Sequence, residues 1–285
     1  MSDRQPDYSR KQSGTIFKVL RAHANTNRGF RRGVYLLPSV LTIANLFCGY
    51  VCVVYTIQGE YFTAAPFIGI AIVLDVLDGR IARMTGSSSE FGAEFDSLAD
   101  IVSFGIAPSV LVLSWGLEVF GRVGWAAAFL FVAAAALRLA RFNVQSVVVD
   151  KRRFIGLPTP AAAGVSAATV FVYPYKLSGP LDTWLALAMV VALAFLMIST
   201  IRYVSFKTMA FGGKGSYRNL IFITLTMVAV VIHPQGVLVL IAYTYLISGV
   251  IGLLTSRLKR RQGTVDRSLK STSEGSFNED ESQAS

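Results

Sequence analysis

Apolar runs long enough to cross a bilayer, about 17–25 residues each, recur between residues 36 and 256, and this repetition constrains the fold more than any other feature. Of all residues, 53% are hydrophobic and 15% charged, a balance suited to a membrane protein rather than a soluble domain. Breakers such as QGEY, SGP and HPQG divide the apolar stretch into eight predicted helices, near 36–57, 62–84, 92–115, 122–147, 158–175, 181–203, 216–232 and 236–256. Pro108 predicts a kink in the third. The expected fold class is therefore all-α, a polytopic membrane helix bundle of about eight transmembrane helices.

Polar ends flank this bundle. Residues 1–33 carry Arg10, Lys11, Lys18, Arg21, Arg28, Arg31 and Arg32 without the short apolar core and small-residue cleavage site of a secretory signal. They are expected to stay in the cytoplasm, in part as a surface helix on anionic lipid. Residues 257–285 are rich in Ser, Glu and Asp and are expected to form a disordered cytoplasmic tail, which leaves 34–256 as the transmembrane domain. An even number of spans puts both termini on one side. With the termini inside, all of the 27 Lys and Arg except Arg122 and Lys176 fall on the inner side. The positive-inside rule then predicts an inner-membrane protein with cytoplasmic termini, and it accounts for much of the net charge of +10 without nucleic acid.

Cys48 and Cys52 lie one helical turn apart in the first run, where a continuous helix disfavours a disulfide, so they read as packing residues. His23 and His233 are too dispersed to form a histidine metal cluster.

Against this apolar background, residues 74–100, LDVLDGRIARMTGSSSEFGAEFDSLAD, hold four aspartates. Charges at such a depth must face protein, water, metal or ligand rather than lipid. Asp75 and Asp78 share a face of the second helix, and Asp96 and Asp100 share a face of the third. Two antiparallel helices joined by the turn MTGSSSE bring those faces into one nest near the inner interface. Four carboxylates in a confined space call for divalent cations, and an all-oxygen donor set suits Mg²⁺, Mn²⁺ or Ca²⁺. Arg83 suits a phosphate, while Gly79 and Gly92 allow close approach of a ligand or a backbone. Metal and phosphate together suggest phosphoryl-group chemistry. A plainer reading is an internal lock, Asp78 with Arg80 and Asp96 with Arg83, that only fastens two helices.

The spacing favours chemistry. Asp75, two residues, Asp78-Gly79, two residues, Ala82-Arg83, eight residues, Gly92, three residues, Asp96, three residues and Asp100 resembles, at every fixed position, the signature of the CDP-alcohol phosphotransferase family of integral membrane enzymes. The resemblance implies that family's fold and transfer of a phosphatidyl-type group from a CDP-linked lipid to an alcohol, with release of CMP. It implies two divalent ions, Mg²⁺ or Mn²⁺, per active site. One ion would be held by Asp75, Asp78 and Asp96, the other among Asp78, Asp96 and Asp100, with Asp100 as proton acceptor. It further implies CDP-lipid contacts from Gly79, Arg83 and Ser89 and from Pro38, Ser39 and Thr42 at the start of the first helix, and it implies a homodimer.

The acceptor must be read elsewhere. LPSVLTIANLFCGY in the first helix, LRLARFN at residues 137–143 and FIGLPTPAAAG at residues 154–164 resemble the bacterial membrane-integrated phosphatidylserine synthases, a subgroup of the family. That resemblance covers roughly residues 36–165 and implies CDP-diacylglycerol as donor and L-serine as acceptor. Arg138 and Arg141 suit a carboxylate and Asn143 can add a hydrogen bond, although both arginines also fit the role of inner-interface anchors. A glycerol-phosphate or inositol-phosphate acceptor would attract arginines too. A divalent-cation transporter, the remote alternative, would need acidic residues on further helices forming a route across the membrane.

Overall fold

The computed structural model describes residues 38–85, 89–146, 156–199 and 216–248. The expected basic segment 1–33, the tail 257–285, end residues of the predicted first, fourth, sixth and eighth helices and residues 86–88 of the MTGSSSE turn lie outside the described residues. Within them the chain is all-helical, with eight helices in the expected order. Five are long and apolar enough to cross a membrane.

The first helix, α1, runs Pro38–Ile57. Proline suits a helix start, where its missing N–H has no partner to lose. A short turn leads into α2, Tyr61–Thr85. The third helix, α3, spans Glu90–Phe120 and is longer than the predicted 92–115. Its first turn is capped by Ser89, whose Oγ accepts from the Gly92 amide at 3.0 Å.

Around Pro108, where a kink is expected, α3 continues through the proline with two wide π-turn segments, Ile101–Ile106 and Leu113–Leu117, a distortion of the kind that accompanies helix bends. The first ends just before Pro108, whose ring crowds the carbonyl four residues back; widening the turn there is one way to relieve it. The second precedes a final tight turn, Glu118–Phe120. There the Trp115 carbonyl accepts from the Leu177 amide at 2.9 Å, while the indole Nε1 donates to the Tyr173 carbonyl at 2.8 Å.

Two helix pairs form the body of the bundle. The fourth helix, α4 (Arg122–Ser146), packs along α6 (Pro180–Ile198), and α5 (Thr159–Val172) packs along α2. The sequence of α5, TPAAAGVSAATVFV, is mostly small residues, and nine of its side chains are buried. Where lipid is as apolar as leucine, close backbone approach and dispersion hold helices together, and small side chains allow it. This central helix stops at Val172, three residues before the predicted end, because Tyr173 and Pro174 leave helical geometry. The last two helices are α7, Ser216–Ile232, and α8, Pro234–Ser248. Tyr243 of α8 shares a 3.0 Å hydrogen bond with Thr169 of α5.

Phe47, Val73, Phe129, Leu185 and Phe195 are all more than half exposed. In water such a surface would be a liability, whereas in a bilayer it meets lipid tails. At the end of the bundle away from the aspartates, Lys176 and Glu118 form an exposed ion pair at 2.6 Å. The hydrogen bond and charge of Glu118 raise the Lys176 ammonium above its ordinary range. Solvent screening limits such a pair to about 1 kcal/mol or less.

Contact between α1 and α3 positions the site. A Cβ on Gly49 would lie 2.7 Å from both Cα and Oγ of Ser103, so only glycine permits this approach. Ser103 uses the contact to donate to the Asn45 carbonyl at 2.9 Å.

Candidate active site

The nest forms where α2, α3 and α1 meet at one end of the bundle. Carboxylate oxygens of Asp75, Asp96 and Asp100 lie within 4.8 Å of one another. Asp78 stands beside them, within electrostatic reach of Asp75 and Asp96. It is buried and accepts a hydrogen bond from Thr42 Oγ1, which also lies 3.1 Å from the Pro38 carbonyl. Asn45, one turn further along α1, donates through Nδ2 to Asp100 Oδ1 at 3.2 Å. Both Thr42 and Asn45 are buried, so α1 supplies a wall of neutral donors to the acidic face.

The donor set fits a divalent cation. Three carboxylates converge, every oxygen is a hard ligand, and Asp96 Oδ1 is buried with no hydrogen-bond partner among the described residues. An unmet acceptor of that kind is costly unless another group satisfies it. The internal lock between Asp96 and Arg83 does not form: Arg83 is exposed at the end of α2. Gly79 is also exposed, and a Cβ there would meet no atom within 4 Å. Ser89 is exposed with its hydroxyl engaged in the α3 cap, and a Cβ on Gly92 would press on that hydroxyl at 3.0 Å. Pro38 and Ser39 are half-buried at the mouth of α1.

The residues expected to bind the acceptor separate. Arg138 turns into the bundle, where Nη1 donates to Thr159 Oγ1 at 2.8 Å and the guanidinium lies within electrostatic reach of Asp100 and Tyr245. Arg141, one turn later, is exposed. Asn143 Nδ2 donates to Ser97 Oγ at 2.9 Å, tying the end of α4 to α3.

This hairpin, with its acidic face against α1, is the segment that carries the signature spacing, and the profile of CDP-alcohol phosphatidyltransferases matches residues 35–247. The chain belongs to the CDP-alcohol phosphatidyltransferase family. It is 38% identical over 229 residues to the CDP-diacylglycerol–serine O-phosphatidyltransferase of Helicobacter pylori (strain ATCC 700392 / 26695), covering 79% of this chain and 94% of that protein. It is 32% identical to the protein of the same name from Mycobacterium leprae (strain TN), over 76% of this chain and 74% of the other. An archaetidylserine synthase from Methanothermobacter thermautotrophicus is 35% identical over 59% of this chain and 69% of its own.

In this CDP-alcohol phosphatidyltransferase, four contributors were not singled out from sequence: Asn45, Ser103, Thr159 and Tyr245. Asn45 did carry a signal, since an amide inside an apolar helix calls for a partner. Its position three residues after Thr42 places both on one face of α1. Thr159 and Tyr245 gave no comparable signal, because their partner Arg138 is brought to them by the packing of α4, α5 and α8.

Proposed function

We propose that this chain is a phosphatidylserine synthase, which transfers the phosphatidyl group of CDP-diacylglycerol to the hydroxyl of L-serine and releases CMP. The observation that carries the choice of acceptor is the relation of Asp100 to Arg138: each lies in the other's field, yet they form no ion pair. A carboxylate and a guanidinium that are near each other but unpaired suit an acceptor with a hydroxyl and a carboxylate of its own. Relatives named for serine transfer support the same reading.

In the reaction, serine enters with its carboxylate toward the Arg138 fork and its hydroxyl toward Asp100. Asn45 holds one Asp100 oxygen, leaving the other to take the hydroxyl proton. The serine oxygen forms a bond to the phosphorus bearing the diacylglycerol. The bond from that phosphorus to the bridging oxygen breaks, and CMP departs with the electron pair. Asp75, Asp78, Asp96 and Asp100 would hold two divalent ions, Mg²⁺ or Mn²⁺, which when bound neutralise the diphosphate and the charge developing on it. Arg83, exposed Gly79 and the mouth of α1 at Pro38, Ser39 and Thr42 border the approach for the CDP moiety, with Ser89 capping the facing helix. Arg141 and Asn143 stand at the rim of the acceptor side.

The catalytic membrane domain is placed at 34–256, between the basic segment and the polar tail. The site faces the cytoplasm with both termini on that side of the inner membrane, and two copies pair as a homodimer. The deciding experiment offers L-serine, glycerol 3-phosphate and inositol phosphate separately to purified protein with CDP-diacylglycerol and Mn²⁺ or Mg²⁺. Serine-dependent CMP and phosphatidylserine are expected. Release with another acceptor alone would overturn the choice of serine, and no release with any would overturn the donor.

A further inference from the structure

Arg138 has one hydrogen bond among the described residues, from Nη1 to Thr159 Oγ1 at 2.8 Å. Its Nε is buried without a partner. The side-on edge of the guanidinium, Nε with Nη2, is therefore unused, and that edge is the one able to grip both oxygens of a carboxylate. A guanidinium at the end of a flexible stem presents such an edge in one direction only if something fixes its plane.

Thr159 is built to do this. It is completely buried, and it is the first residue of α5, between Pro158 and Pro160. The flanking prolines remove two backbone N–H groups and restrict the local dihedrals, so the position of the hydroxyl is set by the backbone. Just upstream, Gly156 has φ +89, and a Cβ there would lie 2.6 Å from the Met197 carbonyl. The Leu157 amide donates to the Leu196 carbonyl at 3.0 Å, anchoring the entry to α5 on α6.

We infer that Thr159 is a positioning residue for acceptor selection: its hydroxyl holds Nη1 of Arg138 so that the Nε–Nη2 edge faces the carboxylate of the incoming amino-acid acceptor. This rests on the reading of Arg138 as the acceptor's anchor. Thr159 touches no substrate itself, so its loss acts on acceptor affinity while leaving the donor side intact.

The test compares wild type, Thr159→Val, Thr159→Ala and Thr159→Ser in the CMP-release assay, with serine and CDP-diacylglycerol varied separately. Valine keeps the shape and removes the hydroxyl; serine keeps the hydroxyl. The expected result is a rise of about tenfold or more in the KM for serine with valine, with the donor KM and kcat within about twofold, and return to within about threefold with serine at this position. Alanine gives the same split should valine lose the folded protein. An unchanged KM for serine, or equal rises in both KM values, overturns the inference. Failure of wild type to release CMP with serine overturns the acceptor reading itself and the role of Thr159 with it, a result separable from a normal wild type with an unshifted variant.

Discussion

Replacing Asn45 by alanine tests whether α1 takes part in the chemistry or only packs beside it. Its Nδ2 is 3.2 Å from Asp100 Oδ1, and both residues are buried. A hydrogen bond to a charged group contributes about 1.5–3 kcal/mol, and the length of this one places it near the lower figure. If the bond orients Asp100 for proton removal, losing about 1.5 kcal/mol from the transition state lowers kcat about tenfold. The donor KM should stay nearly constant, because Asn45 bonds Asp100, the proposed base, rather than the residues proposed to border the CDP moiety. Asn45→Asp is the sharper companion: it sets a fifth carboxylate beside Asp100, where two unit charges repel by about 5 kcal/mol at an effective dielectric near 20. That variant must take up a proton or push the base aside, so its kcat should fall below that of alanine. The assay is CMP release at saturating serine and donor, with thermal unfolding in detergent measured in parallel. Both variants retaining kcat within about threefold of wild type, at unchanged stability, would refute a role for Asn45 in orienting the base.

Three further outcomes follow from the geometry. Asp100→Asn should keep donor binding but lose about 10²–10⁴-fold in turnover, the range of a general base, as read by single-turnover CMP release. Arg138→Lys should raise the KM for serine more than Arg141→Lys does, since lysine lacks the planar fork and only Arg138 points into the bundle; steady-state kinetics with serine varied checks the order. Gly49→Val should lower the melting temperature by an amount corresponding to about 1–3 kcal/mol, because its Cβ would sit 2.7 Å from the Ser103 backbone and force α1 from α3; scanning fluorimetry in detergent measures this.

Local spacing made the acidic hairpin legible in sequence. Asp75 with Asp78, and Asp96 with Asp100, share helix faces through the geometry of one helical turn, and a short connection fixes which faces meet. Eight helices were legible because apolar length and breakers are local too. The two wide turns of α3 around Pro108 were not: a proline is a local signal, whereas which turns widen beside it depends on packing against α1 and the 173–177 segment. The inward turn of Arg138 was equally hidden. Arg138 and Arg141 look equivalent as basic residues one turn apart, and the buried hydroxyl of Thr159, far away in sequence, distinguishes them. Relations within one helical turn can be read from the chain, whereas relations between α1, α4 and α5 depend on tertiary packing.

The charge balance of the nest makes a prediction about order. Asp75, Asp96 and Asp100 have oxygens within 4.8 Å of one another, so each ionised pair repels by at least about 3.5 kcal/mol at an effective dielectric near 20. Asp78 adds a fourth carboxylate, and Arg138 is the guanidinium turned toward them. Donated hydrogen bonds from Thr42 and Asn45 ease the repulsion but bring no charge. A diphosphate donor carries two further negative charges into the same space, so without divalent cations its headgroup meets a field that opposes entry. Chelation should therefore weaken donor binding itself and not merely turnover. Binding of a CDP-lipid to detergent-solubilised protein, measured by calorimetry with and without EDTA, should weaken at least about tenfold, equivalent to about 1.4 kcal/mol. Asp78→Ala should reduce the metal dependence of that binding, since it removes one anion from the field while leaving the other three in place. A donor affinity that changes by less than about threefold on chelation would show that the carboxylates are neutralised from within the protein, and would refute the cation requirement at the binding step.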